Sequence, residues 1–137
     1  MRAIIADDNS FNRLLIEQLI QEFNFDVFFA KDGLETLKVL QEEYLGETIL
    51  FIDIEMPILN GIEVLHALSC NNPIYPSKIA IICNSSISKL KFINMVDRSS
   101  YNFFIEKPIT KLLLVDLINN CFKIFQDTIP NIKQIIY

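Results

Sequence analysis

Five short apolar runs, at about residues 3–6, 27–30, 49–52, 79–83 and 103–105, set the terms on which this chain can fold. They are rich in Ile, Val and Phe. They are apolar almost throughout rather than at every second position, the pattern of strands covered on both faces. Between them lie helix-length segments at about 10–23, 33–45, 60–70 and 86–98, with a fifth at 109–125. In the first, Phe11, Leu15, Leu19 and Phe23 recur at helical spacing, with Glu17, Gln18, Gln21 and Glu22 on the opposite side. Five strand–helix repeats require a parallel sheet, because each helix is a crossover and right-handed crossovers place helices on both faces. The expectation is a doubly wound five-stranded α/β domain over residues 1–125. An apolar tail at 126–137 has no evident place in it and is too short for an output domain.

Composition narrows the function. Hydrophobic residues at 51% and charged residues at 21% exclude disorder for most of the length. No apolar run approaches the roughly 20 residues that cross a bilayer. Asp7 and Asp8 interrupt the N-terminus before a signal-peptide core can form, so no membrane role is expected. A net charge of −5 argues against a nucleic-acid partner, whose phosphates demand a basic surface. The three glycines, Gly33, Gly46 and Gly61, cannot supply a dinucleotide or Walker phosphate loop. Cys70, Cys83 and Cys121 are widely spaced and odd in number, which fits buried thiols in a reducing cytoplasm better than disulfides or zinc. The lone His66 has no ligand at metal spacing and reads as a partly exposed helix residue.

In open parallel sheets, functional groups gather beyond the carboxyl ends of the strands. The first strand ends in Asp7-Asp8, the third in Asp53 followed by Ile54-Glu55-Met56-Pro57, the fourth in Asn84-Ser85-Ser86 and the fifth in Glu106-Lys107-Pro108. Each has a local explanation. Asp8-Asn9-Ser10 suits a helix N-cap, Asp53 a turn toward Pro57, Asn84-Ser85-Ser86 a cap for the fourth helix, and Lys107 a solvated loop charge. None of these explains why three aspartates, a hydroxyl and a lysine leave different strands at one sheet edge. Two carboxylates about 4 Å apart repel by about 4 kcal/mol at an effective dielectric near 20. Asp7, Asp8 and Asp53 therefore need a shared cation, and an oxygen-only donor set selects a hard one, Mg²⁺. A carboxylate held against Mg²⁺ and an ammonium is a nucleophile toward phosphorus, with Ser85 able to bond a new phosphoryl oxygen.

These residues, in this order, resemble the receiver domain of two-component response regulators. The resemblance covers about residues 2–125. It is carried by Ile4-Ile5-Ala6-Asp7-Asp8-Asn9, by Phe51-Ile52-Asp53-Ile54-Glu55-Met56-Pro57-Ile58-Leu59-Asn60-Gly61, and by Ile105-Glu106-Lys107-Pro108-Ile109. The run Asp8-Asn9-Ser10-Phe11-Asn12-Arg13 is similar to receivers fused to hybrid sensor kinases. The resemblance implies a flavodoxin-like fold with strand order 2-1-3-4-5. It implies Asp53 as acceptor of a phosphoryl group from a phosphohistidine on a histidine kinase or phosphotransfer protein. Asp8 would be a direct Mg²⁺ ligand, Asp7 its partner acting largely through water, and the Glu55 backbone carbonyl a third contact. Lys107 would bind the phosphoryl group, with a cis bond to Pro108. Ser85 would be the switch hydroxyl and Phe104 the aromatic that turns inward with it. The register leaves Ser85 or Asn84 at the switch position, and Phe104 lacks a tyrosine's phenol.

Leu114, Leu117, Ile118, Cys121 and Phe122 suffice as a core stripe for the fifth helix, yet Leu113, Ile124 and Phe125 widen it. A broadly buried helix accounts for that, as does a homodimer surface on the fourth-helix, fifth-strand, fifth-helix face. Two other functions stay open: an aspartyl-phosphate phosphatase, for whose substrate cap the chain has no room, and an adaptor that keeps the fold without using phosphate.

Overall fold

A computed structural model of the chain describes residues 1–70 and 72–127. The five apolar runs are five parallel strands, β1 (Arg2–Ala6), β2 (Asp26–Ala30), β3 (Thr48–Asp53), β4 (Ile79–Ser85) and β5 (Phe103–Glu106). They lie in the order β2-β1-β3-β4-β5, as the resemblance implies. The helices are α1 (Ser10–Leu19), α2 (Gly33–Gln41), α3 (Gly61–Ser69), α4 (Lys89–Ile93) and α5 (Lys111–Asp127).

Alternation along the strands sorts the core into two layers. Ile4, Leu50, Ile52 and Cys83 pack with Leu37 and Leu40 of α2, Val64 and Leu65 of α3, and Phe92 of α4. Ile5, Phe51, Ile82 and Ile105 pack with Ile16 of α1 and with Leu114 and Ile118 of α5. Neighbouring residues on one strand thus serve opposite layers. β1 and β3 are buried throughout and β4 nearly so, as solid apolar runs require. β2 and β5 are the sheet's edges and are only partly covered, with Phe29 exposed. Among the described residues, no helix is long and apolar enough to cross a membrane.

Three helices are shorter than the periodicity predicts, each for a local reason. α1 ends at Leu19, and Gln21–Phe23 form a separate 3₁₀ turn closed by Asn24 at φ 53°. α2 stops at Gln41 because the chain turns extended at Glu42, where the Arg2 guanidinium takes up the Val39 and Glu42 carbonyls at 3.2 and 3.4 Å. α4 is one and a half turns rather than the expected 86–98. β4 runs on to Ser85, so the helix cap is Ser88, not Asn84-Ser85-Ser86. At its far end Asp97 accepts a bond from the Ser99 N–H and opens a new 3₁₀ turn, Arg98–Ser100, offering the backbone an alternative to helix. α5 begins at Lys111 and runs two residues past the expected boundary, to Asp127. Most of the expected tail, 128–137, lies outside the described residues.

Side-chain caps fix where each crossover helix begins. Asn9 accepts from the Phe11 and Asn12 N–H groups, Asp32 from Glu35 and Asn60 from Glu63. The loop after β3 is held most tightly. The Gly61 N–H donates to the Ile54 carbonyl at 2.9 Å, and the Gly33 N–H to the Leu59 carbonyl at 3.0 Å. A Cβ on Gly61 would lie 2.5 Å from the Asp53 carbonyl oxygen and 2.8 Å from Ile54 Cα, both backbone atoms. Gly61→Ala is therefore expected to destabilise the fold by about 1–3 kcal/mol, the usual cost of overpacking. Urea unfolding measures it; an unmoved midpoint would show that the loop yields freely.

Candidate functional site

The strand order reverses between β1 and β3, and the residues leaving their carboxyl ends meet there. Asp7 follows β1 and Asp53 closes β3; both are buried, while Asp8 is exposed. One carboxylate oxygen from each of the three lies within 4.8 Å of the other two. Lys107, directly after β5, reaches across with its Nζ 3.1 Å from Asp7 Oδ2 and 3.6 Å from Asp53 Oδ1. Asp7, Asp53 and Lys107 continue the alternation of Ile5, Phe51 and Ile105, so all three fall on the α1/α5 side of the sheet.

Main-chain contacts hold these carboxylates in place. Asp7 Oδ1 accepts from the Asn9 N–H at 2.9 Å, and the Asp7 carbonyl accepts from Arg13 Nη1 at 2.7 Å. Asp53 Oδ1 accepts from the Glu55 N–H at 3.3 Å, which keeps the exposed Glu55 at the edge of the cluster. Both Asp53 contacts fall on Oδ1. The Lys107–Pro108 peptide is cis. Beside the cluster, Asp7, Asn12, Leu15, Ile16, Lys107 and Pro108 border a cleft of about 340 Å³.

Three carboxylates against one ammonium leave the site short of positive charge. Burial lifts the Asp53 carboxyl from 3.8 to about 6; Lys107 and the Glu55 N–H pull it down, and Asp7 and Asp8 push it further up. The donor set contains oxygen alone, with no His or Cys, and so fits a hard divalent ion such as Mg²⁺.

Ser85 and Phe104 stand apart from this cluster. Ser85 is the last residue of β4 and fully buried, but alternation places it on the side of Cys83, opposite Asp53. Its Oγ accepts from the Ile87 N–H at 3.2 Å, and its carbonyl accepts from the Lys107 N–H at 2.8 Å. Phe104 is half-buried and stacks on Phe92 of α4, with ring centroids 4.3 Å apart; Phe92 in turn meets Tyr101 edge-on at 4.9 Å. Of the remaining expectations, Cys83 and Cys121 are buried and burial raises both thiols, Cys121 to about 12. Cys70 is exposed at the end of α3, contrary to the expected burial, because the helix stops there. His66 is exposed on α3.

Two residues gain a place that the sequence did not announce. Asn84 pairs in register with Asp53 on one side and Ile105 on the other. It is buried, and neither polar atom of its side chain has a hydrogen-bond partner among the described residues. Glu106 Oε1 accepts from the Lys89 N–H at 2.6 Å, tying β5 to the first turn of α4. Nothing in Glu106-Lys107-Pro108 distinguishes such a tether from an exposed loop acid.

Comparison with known proteins agrees with this fold. Residues 3–119 match the model of the response regulator receiver domain. The chain is 33% identical over 117 residues to hybrid signal transduction histidine kinase E of Dictyostelium discoideum, covering 83% of this chain and 7% of that protein. It is 25% identical to the chemotaxis protein CheY of Listeria monocytogenes, over 77% of this chain and 86% of that one. Among solved structures, the Francisella response regulator 1452 receiver domain superposes with a TM-score of 0.74 at 25% identity, covering 89% of this chain and 96% of the other. The chain thus spans less than a tenth of the hybrid kinases it matches and most of a single-domain relative.

The Asp53 carboxyl ionises near 3.8 in the unfolded chain and near 6 in the fold, so between these values the native state holds the extra proton. Stability then falls as pH rises from about 4 to about 6 and stays lower above that range. In chelator-treated buffer, Asp53→Asn should be the more stable protein at pH 7.5 by about 1–2 kcal/mol, with the gap closing near pH 3.5. Urea unfolding across pH tests this, and a pH-independent gap would contradict it.

Proposed function

The chain belongs to the response regulator receiver family, and from that premise we propose that Asp53 accepts a phosphoryl group from a phosphohistidine on a histidine kinase or histidine phosphotransfer protein. The observation that carries the proposal is the buried Asp53 carboxylate beside Asp7, Asp8 and Lys107 at the switch point of the sheet. An Asp53 oxygen attacks phosphorus in line, and the phosphorus–nitrogen bond breaks. Its electron pair returns to the imidazole, which then gains a proton. Lys107 leaves its place between Asp7 and Asp53 to follow the negative charge onto a phosphoryl oxygen. Asp7, Asp8, Asp53 and the Glu55 carbonyl are the groups to hold Mg²⁺, which when bound supplies charge against the phosphoryl oxygens.

The signal leaves by the other face. Ser85 would give up its contact with the Ile87 N–H to bond the phosphoryl group, and Phe104 would leave its stack on Phe92 to turn inward. Phosphorylation biases such an equilibrium only by its differential stabilisation of the two states; a swing from 1:99 to 99:1 takes about 5.5 kcal/mol. Exposed Leu90, Ile93 and Met95 along and just after α4, with Leu113 on α5, give the α4–β5–α5 face apolar surface for a homodimer. The domain acts in the cytoplasm, through protein partners rather than nucleic acid. It turns over its own phosphate without being an enzyme for an external substrate, and its receiver unit is residues 1–125.

Incubation with acetyl phosphate and Mg²⁺ should add one phosphoryl mass to the intact chain, mapped to Asp53 and absent from Asp53→Asn. A gain that persists in the variant would remove Asp53 from its role. No gain together with no Mg²⁺ binding would favour a phosphate-independent adaptor, and turnover of a generic phosphate ester would favour a phosphatase. Sedimentation with beryllofluoride and Mg²⁺ should show a monomer becoming a dimer; an unchanged monomer counts against that surface.

A further inference from the structure

Asn84 is a strand-end polar residue that phosphoryl transfer to Asp53 leaves without a task. It pairs in register with Asp53, and strand alternation puts it on the side of Ile82, the same side as Asp53 and Lys107. Its other register partner, Ile105, lies two residues before Lys107 on that same side. Only 1% of its surface is exposed, and neither Oδ1 nor Nδ2 has a partner among the described residues. Exchanging the oxygen and nitrogen of the carboxamide changes nothing, since both are unpartnered. Buried polar groups without partners are rare in native proteins because each costs stability. An aliphatic residue would suit Ile82 and Ile105 better. A carboxamide held in such a place has its use in another state of the site.

We infer that Asn84 is a positioning residue of the phosphoryl site, donating from Nδ2 to Asp53 Oδ1 in the phosphorylated state. The chemistry follows from how Asp53 is held. Its two contacts, Lys107 Nζ at 3.6 Å and the Glu55 N–H at 3.3 Å, both fall on Oδ1. When Lys107 follows the charge onto the phosphoryl group, Oδ1 becomes the acyl oxygen and loses one of these contacts. Asn84, its neighbour in the ladder, carries two unspent N–H donors to replace it. A donor on Oδ1 holds the acyl phosphate in one orientation. It also stabilises the carboxylate that departs when water takes the phosphoryl group: the phosphorus–oxygen bond breaks, its electron pair stays on Asp53, and inorganic phosphate leaves. Asn84 therefore shortens the life of the phosphorylated state.

The inference rests on Asp53 as phosphoryl acceptor, and two measurements separate the two ideas. Asn84→Leu, labelled with acetyl phosphate and Mg²⁺ and then stripped of donor, should keep its phosphoryl group several-fold longer than the native chain while melting at a higher temperature. Asn84→Thr, which retains a donor, should bring the lifetime part of the way back. In the native chain, one Asn84 side-chain N–H resonance should move downfield and exchange more slowly on adding beryllofluoride with Mg²⁺. An unchanged lifetime in Asn84→Leu, whether its melting point rises or falls, would overturn the inference and leave Asn84 a packing residue only. If Asn84→Leu does not fold, the side-chain resonance decides, and an unmoved resonance overturns it. A native chain that takes up neither phosphate nor beryllofluoride defeats the acceptor reading itself, and this inference with it.

Discussion

Lys107 joins the first strand to the third across the edge of the sheet, with one ammonium shared between Asp7 at 3.1 Å and Asp53 at 3.6 Å. Both carboxylates are buried, so water screens them poorly and the shared ammonium is what makes their proximity tolerable. It is not enough for three acids. Burial lifts the Asp53 carboxyl to about 6 even with Lys107 beside it, and the Asp7 and Asp8 charges add to the rise. Such a site is unfavourable for folding and useful for chemistry, since the same shortage of positive charge gives a cation a reason to bind and places a carboxylate where it can be neutralised by one.

Strand alternation determines what the rest of the sheet edge can contribute. At the ends of β3, β4 and β5, Asp53, Asn84 and Lys107 fall on the α1/α5 side, and Ser85, Phe104 and Glu106 on the side of α4. On the proposed function, phosphoryl chemistry belongs to the first side and conformational change to the second. The two are separated by the thickness of one strand and joined through its backbone: the Lys107 N–H donates to the Ser85 carbonyl.

The solid apolar runs made the parallel sheet legible, because only strands covered from both sides can dispense with polar residues. Asp7, Asp8, Asp53 and Lys107 were legible for a related reason: each lies within two residues of the end of such a run, and a parallel sheet brings all such positions to one edge. Helix lengths were less so. Whether α2 continues past Gln41 depends on Arg2, thirty-odd residues earlier, capturing its last carbonyls. In the sequence, Asn84 suits either a helix cap, with Ser85 and Ser86 beside it, or the switch position. Only the length of β4, which register with β3 sets, moves it into the sheet beside Asp53.

That one-residue distinction also puts Asn84 and Ser85 in different layers of the core. A side chain at 84 shares the layer of Asp53; a side chain at 85 shares the layer of Phe104 and Phe92. Glu106 completes the second path, because it follows Ile105 on β5 and holds the Lys89 N–H at the start of α4. Lys107 is its immediate neighbour and points to the opposite layer, so a lysine drawn toward a phosphoryl group would pull from the residue next to the tether. The short α4, one and a half turns anchored by Ser88, Glu106 and the Phe92–Phe104 stack, has few bonds of its own to resist such a shift. Its brevity, which the sequence periodicity did not predict, is what would let a change at Asp53 reach the surface.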